Sequence, residues 1–243
     1  MGKDWVVMRE IKIVDRDVDV IKYVYDMKFA VGSDVYKMFF ESGGKSSRYC
    51  FIRLKKLVDA GYLKVFKNDL YRSGFYYVSE KGLNLLRNSY RDHLFPKKAP
   101  AQIDMRFFEH DKVVAECRTY LEREGLAKKW TSERIITHDV ITKGGEYRSK
   151  YMLQNLQKSQ IPDGLFETRK GEVCAFELEY TLKSNNELKK KLVNLNNESL
   201  SSSGLFKRVL IVAGSNRIKN SLEAVKNDLS ADFKIMNLEE MNL

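Results

Sequence analysis

Asp163, Glu177 and Glu179 are the residues whose types and spacing point most directly to chemistry. Asp163 belongs to Ile161-Pro162-Asp163-Gly164-Leu165-Phe166, which reads as a turn entering a short strand. Glu177 and Glu179 interrupt an otherwise apolar run, Val173-Cys174-Ala175-Phe176-Glu177-Leu178-Glu179-Tyr180-Thr181. Side chains alternate along a strand, so the two glutamates share a face with Ala175 and Thr181, while Cys174, Phe176, Leu178 and Tyr180 take the other. Pairing of the two strands brings three carboxylates together. Like charges at close range repel, and burying them unpaired is costly, so the spot requires a cation. A hard divalent ion, Mg2+ or Mn2+, takes oxygen ligands and retains waters for work on a phosphate. Lys183 and the run Lys189-Lys190-Lys191 add positive charge for the same phosphate. The competing reading is an edge strand whose acids face solvent; the Pro-Asp-Gly turn about one hairpin upstream favours a site.

The elements that position these residues read as an α/β domain over residues 105–243. Residues 107–124 have helical periodicity, with Val113, Val114, Cys117, Tyr120 and Leu121 inward and Glu116 near the site side. Residues 138–150 are polar, contain Gly144-Gly145 and are expected as a loop near substrate. A helix is predicted over 185–197 on Leu188, Leu192 and Leu195, then a serine-rich loop over 198–204. The apolar run 206–212 suits an interior strand, followed by a helix over 217–229 and a last strand over 233–236.

Residues 1–90 form a separate pattern. Helices are predicted from Asp15, over 34–40 with Ser33 as N-cap, and from Ser46 or Ser47 to Asp59. The third has an apolar stripe of Phe51, Leu54, Leu57 and Val58. Gly61 ends it in a left-handed cap, and strands at 63–66 and 75–78 precede a helix capped by Ser79. This order outlines a winged helix-turn-helix. Its third helix would enter a DNA groove with Lys45, Ser46, Ser47, Arg48 and Tyr49, and Arg53, Lys67 and Arg72 would contact phosphates. Residues 91–104, with Pro96 and Pro100, read as a linker.

The pattern Pro162-Asp163, then Glu177-x-Glu179, resembles the signature of restriction-endonuclease-like PD-(D/E)xK nucleases. It departs from that signature in having Glu179 at the lysine position, and Lys183, four residues on, would take the lysine's role. Over about residues 15–200 the chain is similar to MobC-type relaxases of mobilisable plasmids and to replication-relaxation proteins. The matching pieces are Gly61-Tyr62-Leu63, His110-Asp111, Trp130-x-x-Glu133-Arg134, Pro162-Asp163-Gly164, Glu177-x-Glu179 and Lys183. The resemblance implies a winged helix followed by a restriction-endonuclease-like mixed sheet. Asp163, Glu177 and Glu179 would hold metal, Lys183 would be catalytic, and Glu133 would be a further acid. It also implies nicking of double-stranded plasmid DNA at a transfer origin, with a coupling protein and accessory relaxosome proteins as partners.

Composition bounds these expectations. The 243 residues carry a net charge of +10. Residues 1–100 hold 20 basic against 12 acidic side chains, the remainder 23 against 21. A basic first half suits a polyanion, and a balanced second half suits an acidic metal site. Cys50, Cys117 and Cys174 form no framework or zinc spacing, which is expected of a reducing cytoplasm, the resemblance to plasmid relaxases implies a bacterial one, and no signal or membrane-inserting stretch is apparent. The scattered histidines, His93, His110 and His138, contain no His-x-His, which argues against a tyrosine relaxase with a histidine-bound metal. Neither a Gly-x-Ser-x-Gly elbow nor a Walker loop is present. The competing function is a non-enzymatic winged-helix regulator of plasmid replication or transcription.

Overall fold

The computed structural model describes residues 11–67, 74–91, 95–96, 98–141, 161–202 and 204–242, with the side chains of 138–141 outside that description. The chain is mixed α/β and divides into two compact units, Met1–Phe108 and Glu109–Leu243.

In the first unit, α1 (Asp15–Asp26), β1 (Ala30–Val31), α2 (Gly32–Phe39) and α3 (Ser47–Asp59) precede β2 (Leu63–Phe66), β3 (Phe75–Val78) and α4 (Glu80–Ser89). The strands form an antiparallel sheet in the order β1-β3-β2. Ser46 and Ser79 cap α3 and α4, each accepting a backbone N–H with its hydroxyl. Gly61, at φ +79°, ends α3: its N–H donates to Val58 O and that of Tyr62 to Leu57 O, a pairing that satisfies the last carbonyls of the helix.

Two expectations are corrected in this unit. The buried stripe of α3 is Cys50, Leu54 and Leu57, whereas Phe51 is 45% exposed. Leu54 and Leu57 are buried as expected, while Cys50 takes the inner place given to Phe51 and Val58 is only half-buried. Val31 rather than Ser33 takes the N-cap of α2. Ile103, within the segment expected as a linker, packs with Phe29, Val31, Phe75 and Phe108.

The second unit runs α5 (Phe108–Arg123), β4 (Lys128–Ser132), α6 (Glu133–Ile141), β5 (Gly164–Glu167), β6 (Val173–Glu179), α7 (Asn185–Leu200), β7 (Arg208–Ala213), α8 (Asn216–Lys226) and β8 (Asp232–Asn237). The first residue of α5 falls in the first unit. The five strands lie in sequence order; β4, β5 and β6 pair antiparallel, and β6, β7 and β8 parallel. One face of the sheet, with Leu165, Ala175, Val209 and Ile211, packs on Leu188, Leu192 and Leu195 of α7 and on Ile218 and Leu222 of α8. On the other face Trp130 lies parallel to Phe166 at 5.9 Å and against Phe176 at 5.2 Å, with Arg118 of α5 over its ring. β4 was not anticipated. α7 extends to Leu200, three residues into the expected serine-rich loop, because Ser199 donates its hydroxyl to Lys207 O and is buried. α6 continues to Ile141, and the rest of the polar segment, 142–150, lies outside the described residues.

Arg53 provides a test of this fold. Its Nε donates to Asp17 Oδ1 at 2.7 Å, its Nη2 to Asp17 Oδ2, and the same nitrogen to Lys12 O at 2.8 Å. The Asp17 side chain is fully buried. Removing one partner of such a pair strands a buried charge, so Arg53→Ala should destabilise the protein by about 3 kcal/mol in denaturant unfolding. A loss within the range of neutral surface changes would show that the pair holds nothing together.

Candidate active site

β6 carries the carboxylates to its end. Glu177 and Glu179 alternate with Phe176 and Leu178, so both point to the α7 face, in line with Ala175. Each is 2% exposed. Asp163 immediately precedes β5, and the register Gly164↔Phe176, extended by one residue, sets it opposite Glu177. Where the β5–β6 ladder stops, the Asp163 carboxylate takes over: its Oδ2 accepts the Leu178 N–H at 2.8 Å. Its carbonyl accepts the N–H of Glu133, which begins α6. Gly164 is required here, because a Cβ on it would lie 2.4 Å from Trp130 Cζ2.

Lysines neutralise the glutamates. Lys191 of α7 places Nζ 2.6 Å from Glu179 Oε1 and in contact with Glu177 Oε2. Lys183 Nζ is 2.8 Å from Glu179 Oε2. The Lys191–Glu177 contact is not aligned as a hydrogen bond, which leaves Glu177 Oε2 a buried acceptor without an aligned donor. On the other side of Asp163 stands His110 of α5, with Nε2 3.4 Å from Asp163 Oδ2 and Nδ1 3.6 Å from Asp111 Oδ1.

These contacts sort the charges. Burial and the nearby Asp163 charge raise the Glu177 pKa to about 8, against the pull of Lys191. Burial opposes ionisation of Asp163, but His110, Lys191 and the Leu178 N–H outweigh it and hold its pKa below the ordinary value. Burial likewise opposes a charged His110, yet Asp111 and Asp163 raise its pKa to about 10. Lys191 is raised above its ordinary value because Glu177, Glu179 and Asp163 overcome its desolvation. Asp163 is therefore the carboxyl favoured in its ionised form and Glu177 the one pushed toward a proton, between the positively charged Lys191 and His110.

The expected residues distribute unevenly. Asp163, Glu177, Glu179 and Lys183 come together at the end of β6. Glu133 joins them through its backbone N–H. Glu116 instead pairs with Lys112 at 3.2 Å on its own helix. In the first unit Lys45, Ser46, Ser47, Arg48 and Tyr49 are all exposed around the start of α3, as is Lys67 at the end of β2. Ser46 is occupied as the cap, and Tyr49 receives the Lys45 ammonium over its ring at 5.7 Å. Arg53, expected at a phosphate, is engaged by Asp17. Arg72 lies outside the described residues.

His110 and Lys191 were named only as parts of His110-Asp111 and of the Lys189-Lys190-Lys191 run, with no role beside the acids. Each occupies a polar place in an apolar helical stripe. Lys191 falls between Leu188 and Leu192–Leu195, and His110 precedes Val113, Val114 and Cys117 at the same spacing. That interruption was the available signal.

Among the described residues no three His, Cys, Asp or Glu side chains form a ready metal cage. Two carboxylates nevertheless converge on one cationic point, occupied by Lys191 Nζ, and one of their oxygens lacks an aligned donor. Hard oxygen donors around a shared cation position fit a divalent ion, with Asp163 adjacent.

The raised Glu177 pKa has a thermodynamic consequence. Its native proton contributes stability in full below the unfolded pKa near 4.5, and that contribution is lost as pH rises through about 8. Glu177→Gln removes this loss, so its stability relative to the parent should grow from pH 5 to pH 9, with a slope of at most about 1.4 kcal/mol per pH unit. Denaturant midpoints with the same gap at both pH values would contradict the raised Glu177 pKa.

Among the described residues no helix is long and apolar enough to cross a membrane. No curated protein and no solved structure matches the chain significantly. The family model described as Replication-relaxation matches residues 21–195, most of the chain and both of its units. On that match, the chain belongs to the replication-relaxation family.

Proposed function

We propose that this protein is a divalent-metal-dependent DNA endonuclease of the MobC relaxase type, which nicks plasmid DNA at its transfer origin to begin mobilisation. The observation that carries this reading is the convergence of buried Glu177 and Glu179 on one cation position, beside Asp163, at the carboxyl end of β6. A helix followed by three antiparallel strands, with α6 between the first two, and then by two helix–parallel strand units supports a restriction-endonuclease-like core. Membership of the replication-relaxation family supports a role in plasmid replication or mobilisation.

Glu177 and Glu179 would hold Mg2+ or Mn2+, with Asp163 alongside. A bound ion supplies Lewis acidity toward the scissile phosphate and a more acidic water. The chain's own groups do the rest. His110, positively charged, fixes Asp163 from the α5 side. Lys183 is the more exposed lysine of the cluster, at 37%, and offers its ammonium to developing negative charge on a phosphoryl oxygen. The first unit binds double-stranded DNA as a winged helix, with the exposed start of α3, Lys45 to Tyr49, at the groove.

The competing function, a DNA-binding regulator without catalysis, is favoured by one observation: lysines already neutralise both glutamates. Supercoiled plasmid bearing the cognate origin separates the two. With accessory proteins supplied, metal-dependent relaxed circles should appear, vanish with chelator, and fall at least about a hundredfold in Asp163→Ala and Glu177→Ala. Specific binding with no relaxation under either metal supports the regulator.

The DNA-binding unit is tested separately. Arg48→Ala should weaken origin binding by about 1–3 kcal/mol and leave metal binding intact. Origin binding equal to the parent's would remove α3 from the groove.

A further inference from the structure

The Lys191 ammonium sits where the two glutamates point, in contact with Glu177 Oε2 and 2.6 Å from Glu179 Oε1. It fits the two unequally. Glu179 Oε1 receives a hydrogen bond, while Glu177 Oε2 is left without an aligned donor. An ammonium has three directed N–H bonds, and a metal ion has no such directionality toward carboxylates. Lys191 is also not sealed in: its side chain is 23% exposed, on a flexible four-carbon stem. Lys189 and Lys190, its neighbours on α7, are exposed and make the inward turn of Lys191 a matter of helical phase. Lys183 differs in kind, because it approaches Glu179 from the more exposed side and has no ion-pair contact with Glu177.

We propose that Lys191 is a stand-in cation that holds Glu177 and Glu179 together until a divalent ion arrives, and that it must vacate the site for the ion to bind. This inference rests on the metal-binding reading above. The residue competes with the ion through its charge, so it sets the metal concentration at which the site loads. Once displaced, its stem keeps the ammonium near the same carboxylates. Lys191 is thus a positioning residue.

Calorimetric titration of the full chain with Mn2+ tests the competition. Lys191→Met should bind Mn2+ at least about tenfold more tightly than the parent, Lys191→Arg should restore near-parental affinity, and Lys183→Met should change affinity less than Lys191→Met. A parent that binds Mn2+ through Glu177, with Lys191→Met equal or weaker, overturns the inference and leaves the metal site standing. No binding by either protein overturns both. Acylation of lysines in the unaltered protein, read by mass spectrometry, covers the case in which Lys191→Met fails to fold. Saturating Mn2+ should increase modification of Lys191 severalfold; unchanged modification under conditions where Mn2+ binds would show that the ammonium never leaves.

Discussion

Two glutamates buried at the end of one strand cannot remain there without a positive partner, and the second unit is built around meeting that demand. Glu177 and Glu179 are pressed against the α7 side of the sheet, next to residues that form its apolar core. Taking two such charges from water costs several kcal/mol each. Lys191 and Lys183 offset part of that cost, and a proton on Glu177 offsets more. The result is a cluster whose charge is balanced but whose hydrogen bonding is incomplete. An arrangement serving stability alone would be better replaced by apolar side chains. Its position at the carboxyl end of a parallel strand, where ligands of open α/β sheets commonly bind, favours a functional role.

The rest of the unit fixes these few atoms. α7 is phased by Leu188, Leu192 and Leu195, and this phase turns Lys191 inward while Lys189 and Lys190 face water. β5 places Asp163 opposite Glu177, and Gly164 lets the indole of Trp130 lie flat on the strand behind it. α5 brings His110 to the far side of Asp163. Asp163 is consequently shared among His110, a strand N–H and the field of Lys191, and its pKa is held down while that of its neighbour Glu177 is pushed up. Two carboxyls pushed in opposite directions at one site provide the asymmetry that acid–base and metal chemistry both draw on.

Much of this was legible in the chain. Strand alternation predicted the shared face of Glu177 and Glu179, Leu spacing predicted α7, and Ser46, Gly61 and Ser79 marked helix ends that the structure retains. What was not legible depends on distant partners. Arg53 looks like any basic residue on an exposed helix until Asp17, thirty-six positions earlier, turns out to need it. Phe51 was expected inside because it is large and apolar, but Cys50 lies in phase with Leu54 and Leu57. β4, with Lys128 and Lys129 exposed, lacks an apolar run and is held by pairing with β5 instead. His110 and Lys191 were visible as polar breaks in apolar stripes, yet a single polar residue does not reveal which carboxylate it serves.

The central claim is that Glu177 and Glu179 define one cation position that a divalent ion can take. Crystals grown without metal and then soaked in Mn2+ test it most directly, through anomalous scattering at the end of β6. The account predicts a single strong peak bridging Glu177 and Glu179 near Asp163, with the Lys191 ammonium moved off that point. Anomalous maps without a peak there, and Lys191 still seated between the two glutamates at saturating Mn2+, would contradict it.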